Sequence, residues 1–319
     1  MDRPVIAVVV PCYKEEGVLV TSMPRLLEVL EGMKEEGMIS SKSYILCVND
    51  GSTDGTWDEI RTLSERYPSI RGISLAHNSG HQYALLAGLM DVADHCDAAI
   101  SIDADLQDDP EAIREMVKDF KEGAEIVYGV RRSRATDSWF KRNSARGFYK
   151  MQKMMGLQTI YDHADYRLMS ARALHLLSEY KERNLFLRGI VPLIGLKTSI
   201  VTYDRHLRVA GESKYPLKKM LSFSIDGITS FSAKPMRWIF SFGLLLLIID
   251  LIVGLYVLCS WLSGEVTEGW TSIMLSIWFL GSVLLMAIGI VGEYIGKIFV
   301  EVKARPRYAI AERVGFDRQ

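Results

Sequence analysis

The first 130 residues repeat one pattern four times: a short apolar, largely β-branched run, then a polar stretch, then a segment with helical spacing. The apolar runs fall at 5–10, 44–48, 70–75 and 98–102, with a fifth at 125–130. The helical segments fall at 19–36, 54–67, 82–93 and about 110–121. Runs without polar alternation suit strands buried on both faces, as in a parallel sheet. Strands alternating with helices predict an α/β fold. A further short helix is expected over 171–180 and a strand over 200–203. In such sheets ligands bind beyond the C-terminal ends of the strands.

Polar residues gather after every run: Tyr13 and Glu15, then Asp50, then His77 to His81, then Asp103 to Gln107, then Arg131 and Arg132. The run at 98–102 ends in two carboxylates one residue apart, Asp103 and Asp105. On an extended chain, residues i and i+2 point the same way, so both could meet one cation. Gln107 offers a neutral oxygen two residues on. Oxygen-only donors suit Mg²⁺ or Mn²⁺ better than zinc. The alternative is a polar loop whose Asp109 caps the next helix, with Pro110 at its first position. That role for Asp109 is compatible with a metal at Asp103 and Asp105. Neither G-x-x-x-x-G-K-[ST] nor a G-x-G-x-x-G opening a helix occurs, so a bound nucleotide would need a metal to neutralise its charge.

After residue 130 the rhythm changes. Residues 138–155 carry an aromatic and methionine stripe that reads as core. The loop 205–215 holds Arg205, Arg208 and Lys214, which suits either an anionic group or an acidic membrane surface. The net charge of −1 gives no basic excess of the kind a nucleic-acid binder needs. Cys12, Cys47, Cys96 and Cys259 are scattered and read as reduced thiols. The N-terminus shows no signal-peptide pattern, so the catalytic part is expected in the cytosol.

The last quarter reads as membrane. Residues 217–234 are amphipathic, as for a helix lying in the interface. Two apolar runs, about 238–262 and 270–292, are long enough to span a bilayer, and each opens with a tryptophan. The loop between them has two acids and no Lys or Arg, whereas Lys234, Arg237, Lys297, Lys303, Arg305 and Arg307 flank the pair. The positive-inside rule then predicts a hairpin with both termini cytosolic. The expected organisation is a cytosolic catalytic domain at 1–215, an interfacial helix at 216–236, a transmembrane hairpin within 237–296 and a cytosolic tail at 297–319. Asp250, mid-span, would serve a transport path or pair across a subunit interface in a homo-oligomer.

Read together, the motifs resemble a known family. Pro11-x-Tyr13-x-Glu15, Asn49-Asp50-Gly51-Ser52-x-Asp54, His77-Asn78-x-Gly80, Asp103-Ala104-Asp105-Leu106-Gln107, Asp165-Tyr166-Arg167-Leu168-Met169 and Arg208-x-Ala-Gly-x-Ser213-Lys214 occur in that order before the two apolar runs. This resembles family 2 glycosyltransferases acting on polyprenyl phosphates, especially bacterial bactoprenol glucosyltransferases; dolichol-phosphate mannose synthases are relatives. Ala164-Asp165-Tyr166 departs from the usual Gly-Asp-Phe, and His81 stands where lysine or another polar residue can occur.

The resemblance implies a Rossmann-like GT-A fold, a nucleoside diphosphate sugar, Mg²⁺ or Mn²⁺, and a polyprenyl-phosphate acceptor at the bacterial inner membrane. Carried over, Pro11, Tyr13, Glu15, Asp50, Asp103, Ala104 and Asp105 would bind the donor, and Asp103, Asp105 and Gln107 the metal. Arg131, Arg205, Arg208, Ser213 and Lys214 would hold the acceptor phosphate. Asp105 and Asp165 would be catalytic, with Asp165 either taking a proton or aligning the acceptor. The expected reaction is inverting transfer of glucose from UDP-glucose to undecaprenyl phosphate for cell-envelope glycan modification. UDP-N-acetylglucosamine, UDP-aminoarabinose or GDP-mannose are the alternative donors. A lipid flippase, suggested by Asp250, and an inactive membrane scaffold are the readings from other classes.

Overall fold

The computed structural model describes residues 3–132, 163–204 and 269–316, with scattered positions between 239 and 263. The chain divides into two units. The first holds Met1–Lys153, Gln158–Lys214 and Arg305–Gln319, and the second holds Met154–Leu157 and Tyr215–Ala304.

The first unit is built on one eight-stranded sheet in the order β7-β5-β6-β4-β1-β2-β3-β8. The strands are β1 (Ile6–Cys12), β2 (Tyr44–Asn49), β3 (Ile70–Leu75), β4 (Ala98–Ser101), β5 (Ile126–Arg131), β6 (His163–Ser170), β7 (Thr198–Tyr203) and β8 (Ile310–Val314). Helices α1 (Leu19–Glu35), α2 (Thr56–Arg66), α3 (His81–Val92) and α4 (Ala112–Lys121) make the expected crossovers, and α5 (Ala171–Ser178) and α6 (Leu187–Ile190) follow β6. β1 pairs in parallel with β2 and β4, and every residue of β1 and β2 is buried. Burial on both faces accounts for the unbroken apolar runs.

The expected strand at 5–10 runs on to Cys12 and contains Pro11. A proline is tolerated because the β1–β4 ladder ends at the Val9–Ser101 pair, so Pro11 has no β4 partner to bond. Past that point β4 leaves the sheet, and its polar sequel begins.

Two strands were not expected. β6 runs antiparallel between β4 and β5, with Arg167 opposite both Ser101 and Tyr128. β8 runs antiparallel along β3. β8, in a stretch expected as part of a tail, therefore closes one edge of the sheet. Glu312 accepts from Trp57 Nε1 at 3.0 Å and from Arg61 at 2.7 Å, and Arg313 pairs with the buried Asp91 at 2.6 Å.

In the second unit, α7 (Trp270–Lys303) spans 34 residues, about 51 Å at the α-helical rise. Among the described residues, it holds the one stretch long and apolar enough to cross a membrane, Phe279–Lys303, with a mean hydropathy of 1.9. Many of its large apolar side chains are exposed, Ile273, Leu284, Leu285 and Phe299 among them. The helix starts where the second apolar run was expected to start, but it continues beyond 292. Its last turns carry Glu293, Lys297 and Glu301 at successive i+4 positions, a charged stripe suited to the bilayer surface. The interfacial segment 217–234 and Asp250 lie outside the described residues, as does most of the first apolar run.

Candidate functional site

The C-terminal ends of β1 to β4 and the N-terminal end of β6 meet on one edge of the sheet, because β6 runs against β4. Loops after β1 and β2 are fastened to one another there. The Lys14 amide donates to Ser52 Oγ at 3.1 Å and the Glu15 amide to Thr56 Oγ1 at 3.0 Å. Asp54 Oδ1 accepts from the Thr56 amide at 3.2 Å, a local side-chain turn just before α2. Tyr13 is left exposed and Glu15 half-buried, while Pro11 is buried in β1.

Asp50 is almost wholly buried. Its two carboxylate oxygens accept from the Ser79 amide at 2.7 Å and the Gly80 amide at 2.9 Å. Burial pushes its carboxyl up, against the pull of those two amides. In the structure it ties the loop after β3 to the end of β2. Gly51, with φ +59°, makes that approach possible: a Cβ there would lie 2.4 Å from the His77 carbonyl carbon.

β4 ends at Ser101, so Asp103 and Asp105 lie in the turn beyond it and not on extended chain. The shared face of residues i and i+2 therefore does not bring them together. The chain turns there: the Leu106 amide donates to the Asp103 carbonyl at 3.2 Å, and Leu106 takes φ +44°. Such a backbone angle is costly for leucine and recurs at functional sites. Asp105 Oδ1 accepts the Gln107 amide at 3.2 Å. Ala104 and Gln107 are buried, and Asp109 Oδ1 accepts the Glu111 amide at 3.1 Å in the turn before α4; the helix itself starts at Ala112, so Asp109 is not its N-cap and Pro110 not its first residue. The Asp103 carboxyl is pushed up by burial and further by Asp165, Asp108 and Asp105, partly offset by His81. A carboxylate crowded by other carboxylates suits a hard divalent cation, which removes the repulsion they share. Asp103, Asp105 and Gln107 carry oxygen donors of the kind such a cation takes.

Asp165 sits near the start of β6, only 13% exposed. Arg167 Nη2 donates to its Oδ1 at 2.6 Å. Arg188 Nε and Nη2 reach its two oxygens at 3.1 and 3.0 Å. His81 Nε2 lies 3.6 Å from Asp165 Oδ2 and 3.8 Å from Asp103 Oδ1. Burial alone would push the Asp165 carboxyl up; His81, Arg188 and Arg167 outweigh it and hold the group well below the usual carboxylate range. A carboxylate with so little proton affinity is a poor base at neutral pH.

Arg131, expected at the acceptor phosphate, instead forms an ion pair with Asp108, 3.1 Å at its closest, and that carboxylate is buried. Arg205, Arg208, Ser213 and Lys214 lie outside the described residues. Sequence reasoning gave no role to Asp108 or Arg188 and left His81 open. The signal for Arg188 was a lone cation in the otherwise apolar stretch Leu185-Phe186-Leu187-Arg188-Gly189.

Residues 7–177 match the family described as Glycosyl transferase family 2. The chain belongs to glycosyl transferase family 2. It is accordingly an enzyme of glycosyl transfer with a GT-A, Rossmann-like α/β domain. An uncharacterized glycosyltransferase of Bacillus subtilis, YkoT, is 52% identical over 97% of this chain and 92% of its own length. A prophage-derived bactoprenol glucosyl transferase of Shigella flexneri is 38% identical over 96% of this chain and 97% of its own length. Among solved structures, mannosyl-3-phosphoglycerate synthase from Rubrobacter xylanophilus aligns with a TM-score of 0.48 and 14% identity, covering 74% of this chain and 75% of that one.

The Asp165 cluster gives a stability prediction. Asp165→Asn leaves the fully buried Arg167 guanidinium without its anion and should cost about 3–5 kcal/mol, as for one half of a buried pair. Because the folded-state pKa of Asp165 is depressed, its contribution is present above the ordinary carboxylate pKa of about 3.9 and is lost as pH falls through the folded value. Thermal melts should therefore separate wild type from Asp165→Asn widely at pH 7 and converge in strong acid. Equal melting temperatures at pH 7 would contradict the assignment.

Proposed function

We propose that this chain transfers a hexose, glucose from UDP-glucose as the leading case, to a polyprenyl phosphate at the cytosolic membrane face. One observation carries the reading: relatives named bactoprenol glucosyl transferase match across 96% of the chain, so the likeness takes in the apolar last quarter as well as the sheet. UDP-N-acetylglucosamine, UDP-aminoarabinose and GDP-mannose are the alternative donors.

The nucleoside would lie at the β1–β2 ends against Pro11, Tyr13, Glu15 and the Asp50 loop. Asp103, Asp105 and Gln107 would hold Mg²⁺ or Mn²⁺, which when bound neutralises charge on the leaving diphosphate. The nucleophile is a phosphate oxygen. With a second pKa of about 6, a phosphate monoester is already largely ionised at pH 7. No side chain needs to take a proton, which agrees with the low proton affinity of Asp165. Asp165 then acts by orienting the groups around it. Holding both reactants in line supplies much of the rate.

The order of the elements along the chain supports the proposed membrane arrangement. β7 and β8 belong to one sheet, yet α7 lies between them in the chain. A sheet does not straddle a bilayer, so the chain between residues 203 and 310 must cross an even number of times. If α7 crosses once, a second crossing is required, and the apolar run at 238–262 supplies it. This supports the two-helix hairpin with the C-terminal strand on the catalytic side.

Two measurements test these readings. Purified protein with undecaprenyl phosphate, Mg²⁺ and labelled UDP-glucose should move label into the lipid phase, chelator should abolish it, and Asp105→Ala should reduce it at least ~100-fold, the scale of losing one charge-stabilising group. Label from GDP-mannose alone would replace the donor, and near-wild-type turnover of Asp105→Ala would overturn the metal site. In intact cells, Thr267→Cys should react with an impermeant maleimide and Arg305→Cys, at an exposed position, should not; the reverse pattern would overturn the hairpin.

A further inference from the structure

The first three residues of α3 all engage chain beyond the start of β6. His81 approaches Asp165 and Asp103. Gln82 Oε1 accepts the Leu187 amide at 2.9 Å. The Tyr83 hydroxyl donates to the Arg183 carbonyl. From the sheet side, Arg167 Nη1 donates to the Leu187 carbonyl at 3.5 Å. Leu187 is thus held by both of its backbone polar groups, and the next side chain, Arg188, is directed at Asp165.

The two arginines on Asp165 differ in one respect. Arg167 is 1% exposed and serves the interior, whereas the Arg188 side chain is 47% exposed and the neighbouring His81 46%. One carboxylate therefore faces two guanidinium groups and an imidazole, and of these Arg188 and His81 are partly exposed, as Asp103 is. Asp165 takes the Nε–Nη2 edge of the Arg188 guanidinium and so fixes its direction, and a guanidinium held in place in this way is a preorganised cation for a phosphate. Arg188 also lies eleven residues beyond the segment that matches the family, 7–177.

We propose that Arg188, with His81 beside it, forms the subsite for the phosphate of the acceptor, and that Asp165 is the positioning residue that holds Arg188 there. The proposal rests on the reading of polyprenyl-phosphate transfer. Strand order separates acceptor from donor: the nucleoside residues belong to β1 and β2, Asp103 follows β4, and Asp165 lies on β6, on the far side of β4 from them. In an inverting displacement the nucleophile approaches opposite the leaving diphosphate. The acceptor oxygen forms its bond to the anomeric carbon as the bond to the diphosphate oxygen breaks. The electron pair leaves with the diphosphate, and no proton moves.

The test compares wild type with Arg188→Gln and Arg188→Lys in two readings, the KM for undecaprenyl phosphate and the affinity for UDP with Mn²⁺. Arg188→Gln should raise the acceptor KM at least ~10-fold with UDP affinity within about twofold, and Arg188→Lys should recover part of the loss, because it restores charge without the fork. An unchanged acceptor KM would overturn the proposal, as would a parallel fall in UDP affinity, which would move the subsite to the donor. If Arg188→Gln does not fold, Arg188→Lys alone carries the comparison. Failure of the transfer reading itself would show in wild type, as no lipid-linked sugar from any donor. The subsite is then decided by phosphorus NMR with farnesyl phosphate and with inorganic phosphate. Broadening of the farnesyl phosphate signal by wild type and not by Arg188→Gln upholds it, and no broadening by wild type overturns it. Equal broadening of inorganic phosphate would assign the subsite to free phosphate and overturn the lipid assignment.

Discussion

The buried ion pair between Arg167 and Asp165 is the interaction on which the site depends. Arg167 is enclosed in the middle of a sheet, where an unpaired charge costs several kcal/mol. Its partner two residues earlier on the same strand removes that cost and is itself fixed in doing so. Asp165 can then hold Arg188 and His81 at the sheet edge. The insertion of β6 against β4 makes this possible, because a strand running the other way brings its start, not its end, to the edge where the parallel strands finish.

The same edge explains the other polar contacts. Each crossover helix returns the chain to the far end of the sheet, so every strand delivers its polar sequel to one place. Asp50 spends its two oxygens tying the third of these loops to the second, which brings His81 and its two successors to the chain around Asp165. Carboxylates that would repel one another are gathered around Asp103, an arrangement that costs stability and suits a divalent cation. Function is written here in local interactions that the rest of the sheet must support.

Much of this was legible in the sequence. Strands buried on both faces announce themselves as unbroken apolar runs, so β1 to β5 and their helices fell close to expectation. The polar residues after each run marked the edge correctly. β6 was not read as a strand because Asp165 and Arg167 interrupt its apolar character, and their compensation by one another is a tertiary fact. β8 was missed because it borders the sheet on one side only and is rich in charge, Glu312 and Arg313 included. Arg131 was given to a ligand because nothing in its neighbourhood shows that Asp108, 23 residues earlier, returns to pair with it. Asp103 and Asp105 were grouped on the geometry of an extended strand, but β4 ends at Ser101 and both lie in the turn beyond it.

The central claim is that the carboxylate cluster after β4 is a divalent-metal site for a nucleoside diphosphate, flanked by an Asp165 that stays ionised. The most direct measurement is anomalous diffraction at the manganese edge from the protein with Mn²⁺ and UDP. The account predicts one strong peak within coordinating distance of the Asp103 and Asp105 carboxylates, with UDP phosphate oxygens on the same ion and Asp165 still bonded to Arg167 and Arg188. A peak elsewhere, or UDP bound at this edge with no metal between it and those carboxylates, would contradict it.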